Sequence, residues 1–189
     1  MRELSLNILD ITMNSVKAGA TEIIIELTEN KTDFVFRIID NGKGMTKEFL
    51  KNVTDPFTTS RKTRKVGLGL PFLKLAAEQT GGSLKINSKT KEESEDGSHG
   101  TEVVAKFNKT SIDFTPLGDI TSTIVTLIQG SPEIDFIYIH KIDETSIKLD
   151  TKELVEVLGD RSMLVNAEVL MWITDNLNEQ YDSIGYIKY

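Results

Sequence analysis

Leu4, Ile8 and Ile11, followed by Ser15, recur at three- and four-residue intervals through RELSLNILDITMNSVKAG. Asn7, Asp10, Asn14 and Lys17 form a second, polar stripe on the same periodicity. The spacing predicts a helix close to the amino terminus, with Gly19 placed to end it. TEIIIEL and DFVFRII predict two strands joined through TENKT, and NGKG follows as a glycine-rich loop. TKEFLKNV reads as a short helix and TDPFTTSRKTRKVG as an irregular segment. GLPFLKLAAEQT is a helix with its glycine at the amino end, and SLKINSK and TEVVAKF are strands. The charged TKEESEDGSHG between those strands reads as a solvated hairpin loop. The character changes near residues 109–115. Beyond them the pattern predicts a helix (LGDITSTIVTLIQG), two strands (IDFIYIH, TSIKLD) and two helices (KELVEVLG, NAEVLMWITDNLNEQ). The chain therefore divides into a domain over 1–110 and a smaller α/β appendage over 111–189.

Composition narrows the chemistry. The 189 residues are 39% hydrophobic and 27% charged, as expected of a folded globular chain. A net charge of −7 argues against a general nucleic-acid binder, which needs a basic field to neutralise phosphates. There is no cysteine, and the two histidines, His99 and His140, are too few for a histidine-rich metal site. No apolar run approaches the roughly 20 residues that span a bilayer, and MRELSLNILD lacks the features of a signal peptide. A cytoplasmic protein with no membrane partner is expected.

Four segments carry candidate chemistry. Asp10 and Asn14, four residues apart, share a helix face. An Asn carbonyl oxygen is a hard ligand suited to Mg²⁺, and a carboxylate one turn earlier can orient or deprotonate a water. DNGKGM ends a strand with Asp40, which can accept a hydrogen bond from an exocyclic amine such as that of adenine. Gly42 and Gly44 let backbone approach a flat ring closely. KVGLGL puts Gly67 and Gly69 before a helix, where free amides and the helix dipole favour phosphate. HGTEVV starts a strand with Thr101, whose hydroxyl can reach a base through water.

Together these segments resemble the GHKL superfamily of ATP-binding domains, which includes gyrase B, heat-shock chaperones, histidine kinases and mismatch-repair ATPases. NILDITMNSVKAGATEI is similar to the N box, DNGKGM to the first glycine box, RKVGLGL to the second and HGTEV to the final Gly-Thr box. DPFTTS resembles the segment leading into the ATP lid. One box alone is a weak signal; four in order over residues 3–107 are specific. The resemblance implies an α/β fold of Bergerat type, a two-layer sandwich with helices on one side of a mixed, mostly antiparallel sheet. It implies ATP as ligand, Mg²⁺ held through Asn14, adenine read by Asp40 and Thr101, and phosphates cradled by the Gly67–Gly69 loop and its lid. The implied nucleotide-binding set is Asn14, Lys17, Asp40, Gly42, Gly44, Met45, Arg61, Lys62, Gly67, Leu68, Gly69, Leu70 and Thr101, with Asp10 as candidate general base. The basic residues Arg61, Lys62, Arg64 and Lys65 read either as a solvated loop or as a lid that orders over the phosphates.

Two departures shape the functional expectation. Hydrolysing members of the superfamily usually carry Glu where Asp10 stands. Asp is one methylene shorter, and a misplacement of about 1 Å can cost on the order of 100-fold in rate. Neither His99 nor His140 sits in a phosphoaccepting helix, so autophosphorylation on His is not expected. Three classes stay open: a regulatory ATP-binding protein that phosphorylates or sequesters a partner, as anti-sigma kinases of the superfamily do; a slow ATPase with a conformational cycle; and a nucleotide-sensing interaction module without turnover. The first is favoured. The apolar helices of the appendage suggest packing against the ATP domain, against a second copy in a homodimer, or against a protein partner.

Overall fold

The computed structural model describes residues 3–55, 68–94 and 97–186. The chain runs α1 (Leu4–Lys17), β1 (Glu22–Glu29), β2 (Asp33–Asp40), α2 (Lys47–Asn52), α3 (Gly69–Gln79), β3 (Ser83–Lys89) and β4 (Gly100–Asn108). It continues with α4 (Ile120–Gly130), β5 (Asp135–Ile142), β6 (Thr145–Asp150), α5 (Thr151–Leu158) and α6 (Ala167–Ser183). A 3-10 turn over Arg161–Val165 leads into α6. These elements match the periodicities of the sequence.

The six strands form one sheet in the order β3-β4-β2-β1-β5-β6. Every neighbouring pair is antiparallel except β1 and β5. This is the mixed, mostly antiparallel sheet expected of a Bergerat-type sandwich.

Side chains alternate across the sheet. Ile23, Ile25 and Leu27 of β1, Phe34, Phe36 and Ile38 of β2, Val103, Ala105 and Phe107 of β4, and Phe136 and Tyr138 of β5 all face the buried side. The other side interleaves charged residues with half-buried Ile24, Val35, Ile39, Val104, Ile137 and Ile139. There Arg37 donates to Glu26 at 2.9 Å and to Glu102 at 2.6 Å, bridging three strands. One covered face and one wet face define two layers. The same period of two carries Asp40, two residues beyond Ile38, to the covered side. That is where α1 lies.

Residues after 110 are built into this architecture. β5 pairs along the whole of β1, from Glu22↔Asp135 to Glu29↔Ile142. α4 packs against α1 and α6. The first amides of α1, which have no partner within a helix, donate to carbonyls of the later segment: Leu4 to Pro116 at 2.9 Å and Ser5 to Leu117 at 2.8 Å. One cluster of buried apolar side chains runs from Leu4 to Tyr181.

A buried polar group closes the end of the core opposite Asp40. Glu29 accepts from Lys109 Nζ at 2.8 Å and lies 3.4 Å from His140 Nε2. His140 Nδ1 meets the Tyr181 hydroxyl at 2.9 Å, and that hydroxyl also pairs with Tyr138. Burial pushes the Glu29 carboxyl up, but its contacts with His140, Lys109 and Tyr186 outweigh it and hold the pKa down at about 2. His140 is thus a packed member of the core, as its place in an apolar strand suggests.

Candidate nucleotide site

Asp40 is the centre of the site. It sits at the end of β2, 7% exposed, paired across the sheet with Thr101. Its Oδ1 accepts the backbone amides of Gly42 at 2.9 Å and Thr101 at 3.2 Å. Its Oδ2 accepts the Ser15 hydroxyl of α1 at 2.6 Å. One carboxylate therefore ties together the N-box helix, the first glycine box and the Gly-Thr strand. Charge-assisted bonds of this kind fix a rotamer more firmly than neutral ones.

The loop after β2 is held from several sides. The Asn41 side-chain oxygen accepts from Thr21 at 2.8 Å and from Glu22 at 3.0 Å, clamping the loop to the start of β1. His99 Nδ1 lies 2.7 Å from the Gly42 carbonyl. A carbonyl only accepts, so this nitrogen carries the proton. The Met45 amide donates to Ser88 Oγ at 2.8 Å, while that oxygen also meets Thr101 Oγ1 at 2.9 Å.

Two glycines here have no substitute. Gly100 has φ +134, and a Cβ on it would lie 1.8 Å from the Asp40 carbonyl oxygen. Gly44 has φ +68, and a Cβ on it would lie 1.9 Å from the Lys89 carbonyl oxygen. Both backbone shape and close approach demand glycine.

The second glycine box meets α1 as well. A Cβ on Gly69 would lie 1.9 Å from Asp10 Oδ2, so the Asp10 carboxylate rests against the first residue of α3. Asp10 and Asn14 are half-buried on one face of α1, and Lys17 is exposed at its last turn. The buried Asn7 lies one turn before Asp10, and its Oδ1 has no hydrogen-bond partner among the described residues. Leu68 is half exposed, whereas Leu70 turns into the core and Met45 packs against it. Arg61, Lys62 and Gly67, with the expected lid, lie outside the described residues.

The structure thus brings Asp40, Gly42 and Thr101 into direct contact, and Asp10 against Gly69. Three contributors were missed in the sequence: Ser15, Ser88 and His99. By periodicity Ser15 falls on the apolar face of α1, and His99 falls in the charged loop between β3 and β4. No local pattern distinguishes them, because their partners are 25, 13 and 57 residues away.

The sequence profile described as "Histidine kinase-, DNA gyrase B-, and HSP90-like ATPase" matches residues 1–111. The chain belongs to this family. It is 35% identical over 113 residues to the sensor protein KdpD of Clostridium acetobutylicum, covering 57% of this chain and 11% of that protein. It is 30% identical over 103 residues to sporulation kinase D of Bacillus subtilis, covering 54% of this chain and 19% of that one. The chain thus spans less than a fifth of either relative. Among solved structures, the MutL ATPase domain of Aquifex aeolicus, complexed with ADP, superposes with a TM-score of 0.55 at 20% identity, covering 87% of this chain and 69% of that one. That coverage is more than the matched first 111 residues can supply, so the likeness of fold extends into the later strands and helices.

Proposed function

We propose that this protein is a Mg-ATP-binding regulatory protein that acts through a protein partner. In this reading residues 1–110 form the nucleotide-binding unit and residues 111–189 a packing and interaction module. The observation that carries the reading is the state of Asp40. A carboxylate has about four acceptor positions. Three are filled by Gly42, Thr101 and Ser15, which leaves one on Oδ2 for an outside donor. A buried carboxylate with one acceptor position to spare, beside glycines that keep the surface bare, suits the exocyclic amine of adenine.

The phosphate end fits the same ligand. The amino end of α3 favours an anion, yet Asp10 already places a negative charge against it. A phosphate entering there meets that carboxylate unless a cation lies between. Among the described residues no group of three or more His, Asp or Glu side chains converges on one point. A cation here would take the amide oxygen of Asn14, half-buried on the same face of α1 as Asp10. Mg²⁺ suits such a sparse donor set, since it takes its remaining ligands from phosphate and water. Bound there, it would screen the phosphate charge from Asp10. Asp10 itself can hold a water beside the terminal phosphate, but as the shorter carboxylate it holds it poorly.

Isothermal calorimetry with ADP and ATP tests the reading. The expected result is saturable binding of both, stronger with Mg²⁺ than without, and turnover well below the typical range of about 1–10³ s⁻¹. No binding of either nucleotide rejects it. Brisk phosphate release by the purified protein would replace the regulatory reading with that of an ATPase.

A further inference from the structure

The outward face of α6 takes no part in the nucleotide site. Ile173, Leu177 and Tyr181 fill the inward face and are fully buried. Met171 and Trp172 instead point to solvent, 60% and 52% exposed. Glu168, Asp175, Glu179 and Asp182 flank them on the same face, all exposed, so that three- and four-residue steps trace one continuous stripe. Met163 and Val165, in the turn that leads into α6, are exposed too.

This is an unusual surface for water. Trp and Met together present a large apolar area, and both are enriched where proteins meet. The four carboxylates form no ion pair among the described residues. Between residues 151 and 186 there are seven acidic side chains and two basic ones, so five of the chain's net seven negative charges lie in this stretch. Arg161, one of the two bases, is committed to Asp135.

We propose that this face of α6 docks a basic, apolar-anchored helical segment of a partner protein. Lys or Arg side chains of the partner meet Glu168, Asp175, Glu179 and Asp182, and an apolar side chain covers Met171 and Trp172. From Glu168 to Asp182 the stripe is about 21 Å long at 1.5 Å per residue, the length of a segment of about 14 residues. Charge selects among occupants. A second copy related by a two-fold axis would set carboxylates against carboxylates. An anionic membrane surface or a nucleic acid would be repelled for the same reason. The proposal rests on the reading that the protein acts through a partner, and it is independent of nucleotide binding.

Trp172 is the only tryptophan of the chain, so its emission reports on this face directly. The full chain, free of nucleotide, is titrated with an amphipathic Leu/Lys peptide of about 14 residues and with its Leu/Glu counterpart. The expected result is a saturable blue shift with the Lys peptide only. Its affinity should fall by about tenfold or more in Asp175→Lys/Glu179→Lys, and likewise between about 50 and 500 mM salt. Circular dichroism checks that this variant is folded; if it is not, Asp175→Asn/Glu179→Gln should show a several-fold loss. No shift, an equal shift with the Glu peptide, or affinity unchanged in the folded variant overturns the proposal. A shift on concentrating the chain alone, with a dimer mass by light scattering, overturns it in favour of a second copy. A shift on phosphatidylglycerol vesicles overturns it in favour of a membrane. ADP calorimetry on the same chain separates the two readings: binding of ADP without peptide response defeats this proposal alone, and the converse defeats the nucleotide assignment alone.

Discussion

At the scale of single residues, the site depends on how few atoms of Asp40 are left uncommitted. Asp40→Asn replaces one acceptor by an amide donor, so that an amine would face an NH₂ group or one of the bonds to Gly42, Thr101 and Ser15 would be lost. Nucleotide binding should weaken by about 1–3 kcal/mol, roughly five- to 150-fold; calorimetry with an unchanged Kd would remove Asp40 from base recognition. Asp10 makes a different prediction. Its carboxylate lies against Gly69, where a phosphate is expected. Asp10→Asn should therefore tighten binding of Mg-free ADP while lowering any residual turnover. Asn14→Ala should do the reverse for the metal, making affinity similar with and without Mg²⁺. Titrations in Mg²⁺ and in EDTA check both.

Elements matter because the site is a junction of several. α1, the end of β2 and the start of β4 meet at Asp40, so the register Asp40↔Thr101 is part of the site's geometry. Gly100 is the tightest point of that junction, with its Cα packed on the Asp40 backbone. Gly100→Ala is strained by its positive φ and would also collide with that backbone. It should lower the melting temperature by several degrees and abolish measurable nucleotide binding. A variant that melts and binds like the parent would show that β4 can shift without disturbing Asp40.

For the molecule as a whole, the far end of the core predicts acid sensitivity. The Glu29 pKa is depressed from 4.5 to about 2, so the folded state favours the ionised form. Its contribution to stability is present above about pH 4.5 and is lost as pH falls through about 2. Its size is about 3 kcal/mol. Glu29→Gln should be less stable than the parent at pH 7, with the difference shrinking as pH falls from about 4.5 toward 2. A constant difference across that range in chemical denaturation would assign Glu29 a packing role only. The joined sheet makes a second prediction. Ending the chain at residue 111 uncovers the whole edge of β1 and leaves the Leu4 and Ser5 amides without their carbonyl partners. The shortened chain should be less soluble and melt earlier, which size-exclusion chromatography and calorimetry would show.

Much of this was legible in the sequence. Local rules set the elements: three- to four-residue spacing for the helices, alternation for the strands, glycines for the loops. The four motif segments also carried the family and the fold it brings. Even the inward aim of Asp40 was implicit, since it continues the alternation of Phe34, Phe36 and Ile38. The tertiary structure alone decided which side chains hold that carboxylate. Ser15 and His99 are ordinary in their own segments and become significant only when helix, loop and strand converge. It also decided the place of the later residues. The sequence shows a change of character near residue 110, but the pairing of β5 with β1 is set by long-range hydrogen bonds and a shared core. Periodicity reports which face of an element is buried. What that face is buried against is a property of the whole chain.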